Sequence, residues 1–160
     1  MRDLVNQAGF STGAFYNHFE NKEELAWTLF SEAWYAMGME LRRRTRRDRN
    51  FHRQLRAVAG YMFQLYDEDP DLVGYAFLSR HRYVARVNVR MPNPHLAIRV
   101  FIATAIARGE ARKMDAEIAT QFVMGVVIQT IDAKLLGLIK GPLKARANEV
   151  ADTLYRALKG

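Results

Sequence analysis

The chain has no cysteine among its 160 residues. That excludes a disulfide framework and thiolate metal sites, and it fits a reducing compartment, so a cytoplasmic location is expected. No apolar run approaches the ~18 residues of a membrane span. The longest, Phe122 to Ile128, has seven residues with Gly125 counted. No N-terminal signal segment is visible, and no membrane partner is expected. Catalytic signatures are missing as well. His18, His52, His81 and His95 show no i, i+4 pairing of the kind metal hydrolases use. Neither a G-x-S-x-G turn nor a phosphate-cradling glycine loop occurs. The sequence therefore predicts no enzyme, no metal and no cofactor.

Proline and glycine are also sparse, at 4 and 10 residues. They sit where helices should break, and no strand-like alternation persists, which points to an all-α fold. With 49% apolar residues the chain can bury a core. Its net charge of +7 favours polyanionic partners such as nucleic acid or acidic membranes. Much of that excess lies between Arg42 and Arg56. The run Arg42-Arg43-Arg44-Thr45-Arg46-Arg47-Asp48-Arg49 reads either as a solvated helix end favoured by the dipole or as a phosphate-binding cluster.

Lys22 to about Arg47 is expected to be one long helix with two apolar stripes: Leu25, Leu29, Ala33 and Met37, and Trp27, Phe30, Trp34 and Leu41. Apolar on two sides, it should pack on two sides, as a connector between a small head and a larger body would. Further helices are predicted over Phe51–Asp67, Pro70–Arg82, Pro94 to near Gly109, Asp115 to about Lys140 with Gly141-Pro142 as its stop, and Leu143–Lys159. Val84 to Asn93 has no clear pattern.

The N-terminal stretch reads as two short helices joined by a tight turn. Leu4, Val5 and Ala8 give the first an apolar edge, Gly9 ends it, and Ser11 restarts the chain as an N-cap. Phe15 and Phe19, four apart, give the second a buried edge. Asn21 caps the long helix, with Glu23 and Glu24 in its first turn. Helix, glycine turn, helix is the layout of a DNA-reading helix-turn-helix.

The run Ala8-Gly9-Phe10-Ser11-Thr12-Gly13-Ala14-Phe15-Tyr16-Asn17-His18-Phe19, continued by Glu20-Asn21-Lys22-Glu23-Glu24-Leu25, closely resembles the recognition segment of TetR-family bacterial transcriptional repressors. Family members carry a further helix ahead of this motif, and the residues here start inside the second one. The resemblance implies a helix-turn-helix head with connector over residues 1–46 and a ligand-binding and dimerisation body over 47–160. Thr12, Gly13, Asn17 and His18 would contact or approach base edges, and Ser11, Tyr16 and Lys22 the phosphates. A small-molecule effector would bind among the helices from Phe51 to Ile106, with Phe63, Tyr66, Phe77 and Phe101 as candidate contacts and Arg80, His81 and Arg82 as candidate anchors. The last two helices would pair with a second copy through Ile118, Phe122, Val126, Gln129, Val150, Leu154 and Leu158. The implied function is a ligand-responsive repressor that binds a palindromic double-stranded DNA operator as a homodimer. The alternative is a ligand-binding or interaction module that has lost DNA binding.

Overall fold

The structure, a computed structural model, describes residues 21–87 and 91–160. Every regular element among them is helical. The chain begins its described part with α1 (Lys22–Arg46), capped by Asn21, whose side-chain oxygen accepts from the Glu24 N–H at 2.9 Å. Phe30, Trp34, Met37, Leu41 and Thr45 make one continuous buried stripe along it. The two expected stripes thus merge into one broad buried face, and Leu29 stays open at 39% exposure. Aromatic packing anchors the middle: the Phe30 ring stacks on Trp34 at 5.4 Å, and Phe77 meets Trp34 edge-on at 5.9 Å.

Next come α2 (Phe51–Glu68) and α3 (Pro70–Tyr83), separated at Asp69, whose carboxylate caps Leu72 N–H at 2.9 Å. The unpatterned stretch opens with a single 3-10 turn, Val84–Arg86. Asn93 and Pro94 then start α4 (Pro94–Ala107), with the Asn93 side chain accepting from Leu96 N–H at 2.8 Å. Proline at the first helical position has no N–H to leave unsatisfied.

Helix α5 (Ala116–Leu135) starts on Asp115 as expected but ends five residues before Lys140. Gly137, with φ +73°, stops it. Leu138 N–H reaches Ala133 C=O and Gly137 N–H reaches Lys134 C=O, both at 2.9 Å. That pair of bonds is a Schellman closure, for which a glycine in the left-handed region costs least. The final expected helix divides into a 3-10 turn, Leu143–Arg146, and α6 (Ala147–Leu158). The Asp67 carboxylate holds the turn by accepting from Leu143 and Lys144 N–H at 2.9 and 2.8 Å.

One core runs through all six helices. Leu154 and Leu158, assigned by their stripe to a contact between copies, are buried at 1% and 2% within the chain. Their face packs α6 against α2. The outward side of α6 carries Asn148, Glu149, Thr153 and Arg156 instead.

Carboxylates tie the outer surfaces together. Glu40 accepts from Arg43 Nε and Arg44 Nε, each at 2.6 Å, and the Arg43 bond is the main cause that holds its carboxyl down at about 2. Asp152 is lowered first by His52, at 2.6 Å, and then by Arg56. A carboxyl depressed on folding adds stability above its unfolded value and loses it as pH falls through its folded value. These groups are largely solvated, so water and salt screen their contribution and it is small. Helix content followed by circular dichroism in denaturant should give a flat stability above pH 5. It should then decline between about 4.5 and about 2, the range Glu40 spans. A decline that starts above pH 6 would contradict this origin.

Candidate effector cavity and DNA-facing end

Of the seven residues expected to face DNA, Ser11, Thr12, Gly13, Tyr16, Asn17 and His18 lie outside the described residues. Lys22 is the first residue of α1 and is exposed. A cation there opposes the helix dipole, which favours negative charge at this end. Its neighbours Glu23 and Glu24 follow the dipole's preference. Glu23 also receives the Arg82 guanidinium, joining the end of α3 to the first turn of α1. Tyr75 adds a second tie, donating its hydroxyl to Ala26 C=O at 2.6 Å. The start of α1 is therefore fastened to α3.

A cavity of about 430 Å³ lies where α1, α3, α4 and α5 converge. Trp34 lines it from α1, Arg80 and His81 from α3, His95 from α4, and Gln121, Met124 and Ile128 from α5. Its size lies within the ordinary range for small-ligand sites, and its mixture of apolar wall and few polar groups is the usual one. Arg80 is held in place by donating to Phe77 C=O at 2.7 Å. On the opposite side His95 Nε2 lies 2.5 Å from Glu117 Oε1, and Gln121 donates to the same oxygen at 2.7 Å. The His95 bond is the leading cause that lowers the Glu117 carboxyl, with Gln121 second. Polar groups from α3, α4 and α5 thus border the cavity together with the apolar Trp34, Met124 and Ile128.

The expected ligand aromatics do not share this cavity. Phe63 and Tyr66 are core residues of α2. Phe77 backs the cavity wall through its edge-on contact with Trp34. Phe101 lines a second cleft, on the far side of Asn93. Arg80 and His81 do line the cavity, whereas Arg82 is engaged by Glu23. Trp34, His95 and Gln121 were not singled out from sequence as ligand residues. Their spacing on separate helices gives no local pattern, and only the tertiary fold brings them together.

Along α5, Ile118 is 61% and Phe122 43% exposed, and Gln129 is exposed with Val126 half-buried beside it. These four follow helical spacing, in steps of four, four and three, outside the core stripe Ala119, Val123, Val127 and Ile131. Leu136 and Leu138 continue the apolar exposure beyond the helix end, at 75% and 74%. Helix α5 is long and apolar enough, by length and composition alone, to cross a membrane. Its inner stripe is core all the same, and a patch this apolar on the outer side is the mark of an interaction surface.

Residues 1–27 match the sequence model of the bacterial regulatory proteins of the tetR family. The N-terminal segment is thus similar to that family's. Solved structures share its fold at low identity. One is FadR, a transcriptional regulator from Bacillus subtilis solved in complex with stearoyl-CoA, at TM-score 0.73 and 21% identity, covering 94% of this chain and 84% of that one. Another is a protein of unknown function from Rhodococcus sp. RHA1, at TM-score 0.74 and 17% identity, covering 99% and 84%. A gamma-butyrolactone receptor, an ArpA-like protein, aligns at TM-score 0.56 and 22% identity, covering 98% and 85%. No curated protein matches the chain by sequence. The all-α body described above thus shares its fold with these solved structures.

Proposed function

We propose that this protein is a TetR-family repressor that binds a palindromic operator as a homodimer and is released by a small-molecule effector. The observation that carries the reading is the position of Trp34. It stands in the wall of the 430 Å³ cavity and on the same helix, α1, that leads from the family-matching segment. A ligand that binds better in one position of α1 than another shifts the population of head positions. Residues 1–46 would serve as head and connector and residues 47–160 as effector and dimer body. Ser11, Thr12, Gly13, Tyr16, Asn17, His18 and Lys22 would meet the DNA.

The effector would sit between Arg80 and His95, with its apolar part against Trp34, Met124 and Ile128. FadR, which shares the fold, is complexed with stearoyl-CoA, and an effector with an apolar body and a polar or anionic head suits the cavity here. A second copy would cover Ile118, Phe122, Val126 and Gln129 on α5. Gel retardation of the chain's own upstream intergenic DNA tests the reading. A shifted band that survives excess unrelated DNA and weakens steeply with salt is expected. Binding that unrelated DNA competes away equally well would overturn it.

A further inference from the structure

The second cleft, of about 460 Å³, lies between the C-terminal half of α1 and the outer face of α4. Four arginines stand around it: Arg42 and Arg46 from the last turns of α1, Arg49 from the following loop, and Arg108 just past α4. Arg42 and Arg46, four apart, share one helix face. None of the four forms an ion pair with a carboxylate among the described residues. Several neighbouring arginines outside the cleft are neutralised: Arg43 and Arg44 by Glu40, Arg53 by Asp48, Arg56 by Asp152. Asp48 is the one acid at the cleft, and Arg53 and the Asn50 N–H already occupy it. The available carboxylates thus leave this cluster uncompensated.

The cleft is not simply a charged surface. Val100 and Phe101 give it an apolar wall, with Val100 52% exposed. The polar groups at its base are satisfied internally: Gln54 donates to Thr45 C=O at 2.9 Å, and the Thr45 hydroxyl donates to Leu41 C=O at 2.9 Å. They do not compete for a ligand. A solvated arginine row, favoured by the dipole at the end of α1, would account for Arg42 and Arg46. It does not account for Arg49 and Arg108 converging from other segments on the same apolar hollow.

We propose that this cleft is a second ligand site, distinct from the effector cavity, that takes a small molecule bearing a phosphate or polyphosphate group on an apolar body. The guanidinium fork matches phosphate oxygens two at a time, and Val100 and Phe101 take the apolar part. Operator phosphates are the wrong distance away. Lys22 to Arg42 spans 20 residues of helix, about 30 Å at 1.5 Å each. A ligand held jointly by Arg46 and Arg108 would link the end of α1 to the end of α4.

Isothermal titration of the whole chain with inorganic phosphate, pyrophosphate and monomeric dodecyl phosphate tests this. Pyrophosphate should bind more tightly than phosphate, and dodecyl phosphate at least tenfold more tightly than phosphate. The double variant Arg46→Gln/Arg108→Gln should lose at least tenfold in pyrophosphate affinity, and Arg43→Gln, outside the cleft lining and paired with Glu40, should lose none. Val100→Asp, which keeps every arginine, should weaken dodecyl phosphate at least tenfold. Equal losses in the Arg43 variant would show general charge attraction and overturn the site. So would a double variant that loses DNA affinity but keeps pyrophosphate. Failure of phosphate binding with operator binding intact would refute this site and leave the regulatory reading standing.

Discussion

Alanine at Gly38 should destabilise the chain by about 3 kcal/mol, at the upper end of the cost of overpacking a tight contact. Gly38 lies on α1 where that helix crosses the start of α4. A Cβ added there would stand 2.4 Å from the backbone N and Cα of Asn93 and 2.6 Å from its carbonyl carbon. These are backbone atoms, and Asn93 is itself fixed as the cap of α4. No flexible side chain can give way, so α1 and α4 must part. Asn93 lines both the effector cavity and the arginine cleft, so the same change should alter ligand binding at each. For a chain of this size 3 kcal/mol corresponds to a fall in Tm of about 6–12 °C. Gly60 and Gly125, whose added Cβ would meet nothing within 4 Å, are the internal comparison. Both sit inside helices, where glycine to alanine should stabilise by about 0.5–1 kcal/mol. A Gly38 variant as stable as wild type would mean that the α1–α4 crossing is looser than described.

Replacing both Ile118 and Phe122 with glutamate should convert the protein to a monomer without unfolding it. Both side chains already face outward, so the core stripe of α5 is undisturbed. Two carboxylates would have to be buried against the same two on a second copy, because a two-fold contact sets a patch against itself. The expected consequence is a loss of operator affinity on the order of 100-fold, about 2.7 kcal/mol. A monomer offers one recognition helix to a site that needs two. Light scattering separates the variant's mass, and thermal unfolding checks its integrity. A variant that remains dimeric would move the interface away from this face of α5.

Much of this was legible in the chain itself. Capping chemistry is local, so Asn21 and Asp115 announce their helices, and each accepts the backbone N–H its position requires. What local pattern could not decide was which of two stops is used. Gly137 and Gly141 both have positive φ, and it is the earlier one that closes the helix. Nor could a stripe say whether its partner is the same chain or another. Leu154 and Leu158 had the spacing of an interface and turned inward onto α2, whereas Ile118 and Phe122 had it and stayed outside. The cavity was the least legible feature. Trp34, Arg80, His95 and Gln121 come from four helices, and their meeting depends on crossings such as Gly38 on Asn93.

The central claim is that two chains hold one operator through heads whose spacing an effector controls. Light scattering on the size-separated complex with a short operator duplex tests it most directly. Two chains of 18.4 kDa, about 37 kDa of protein per duplex, are expected. A ligand that quenches Trp34 should then separate protein from DNA while leaving the protein a dimer. One chain per duplex, or a complex whose mass that ligand leaves unchanged, would contradict it.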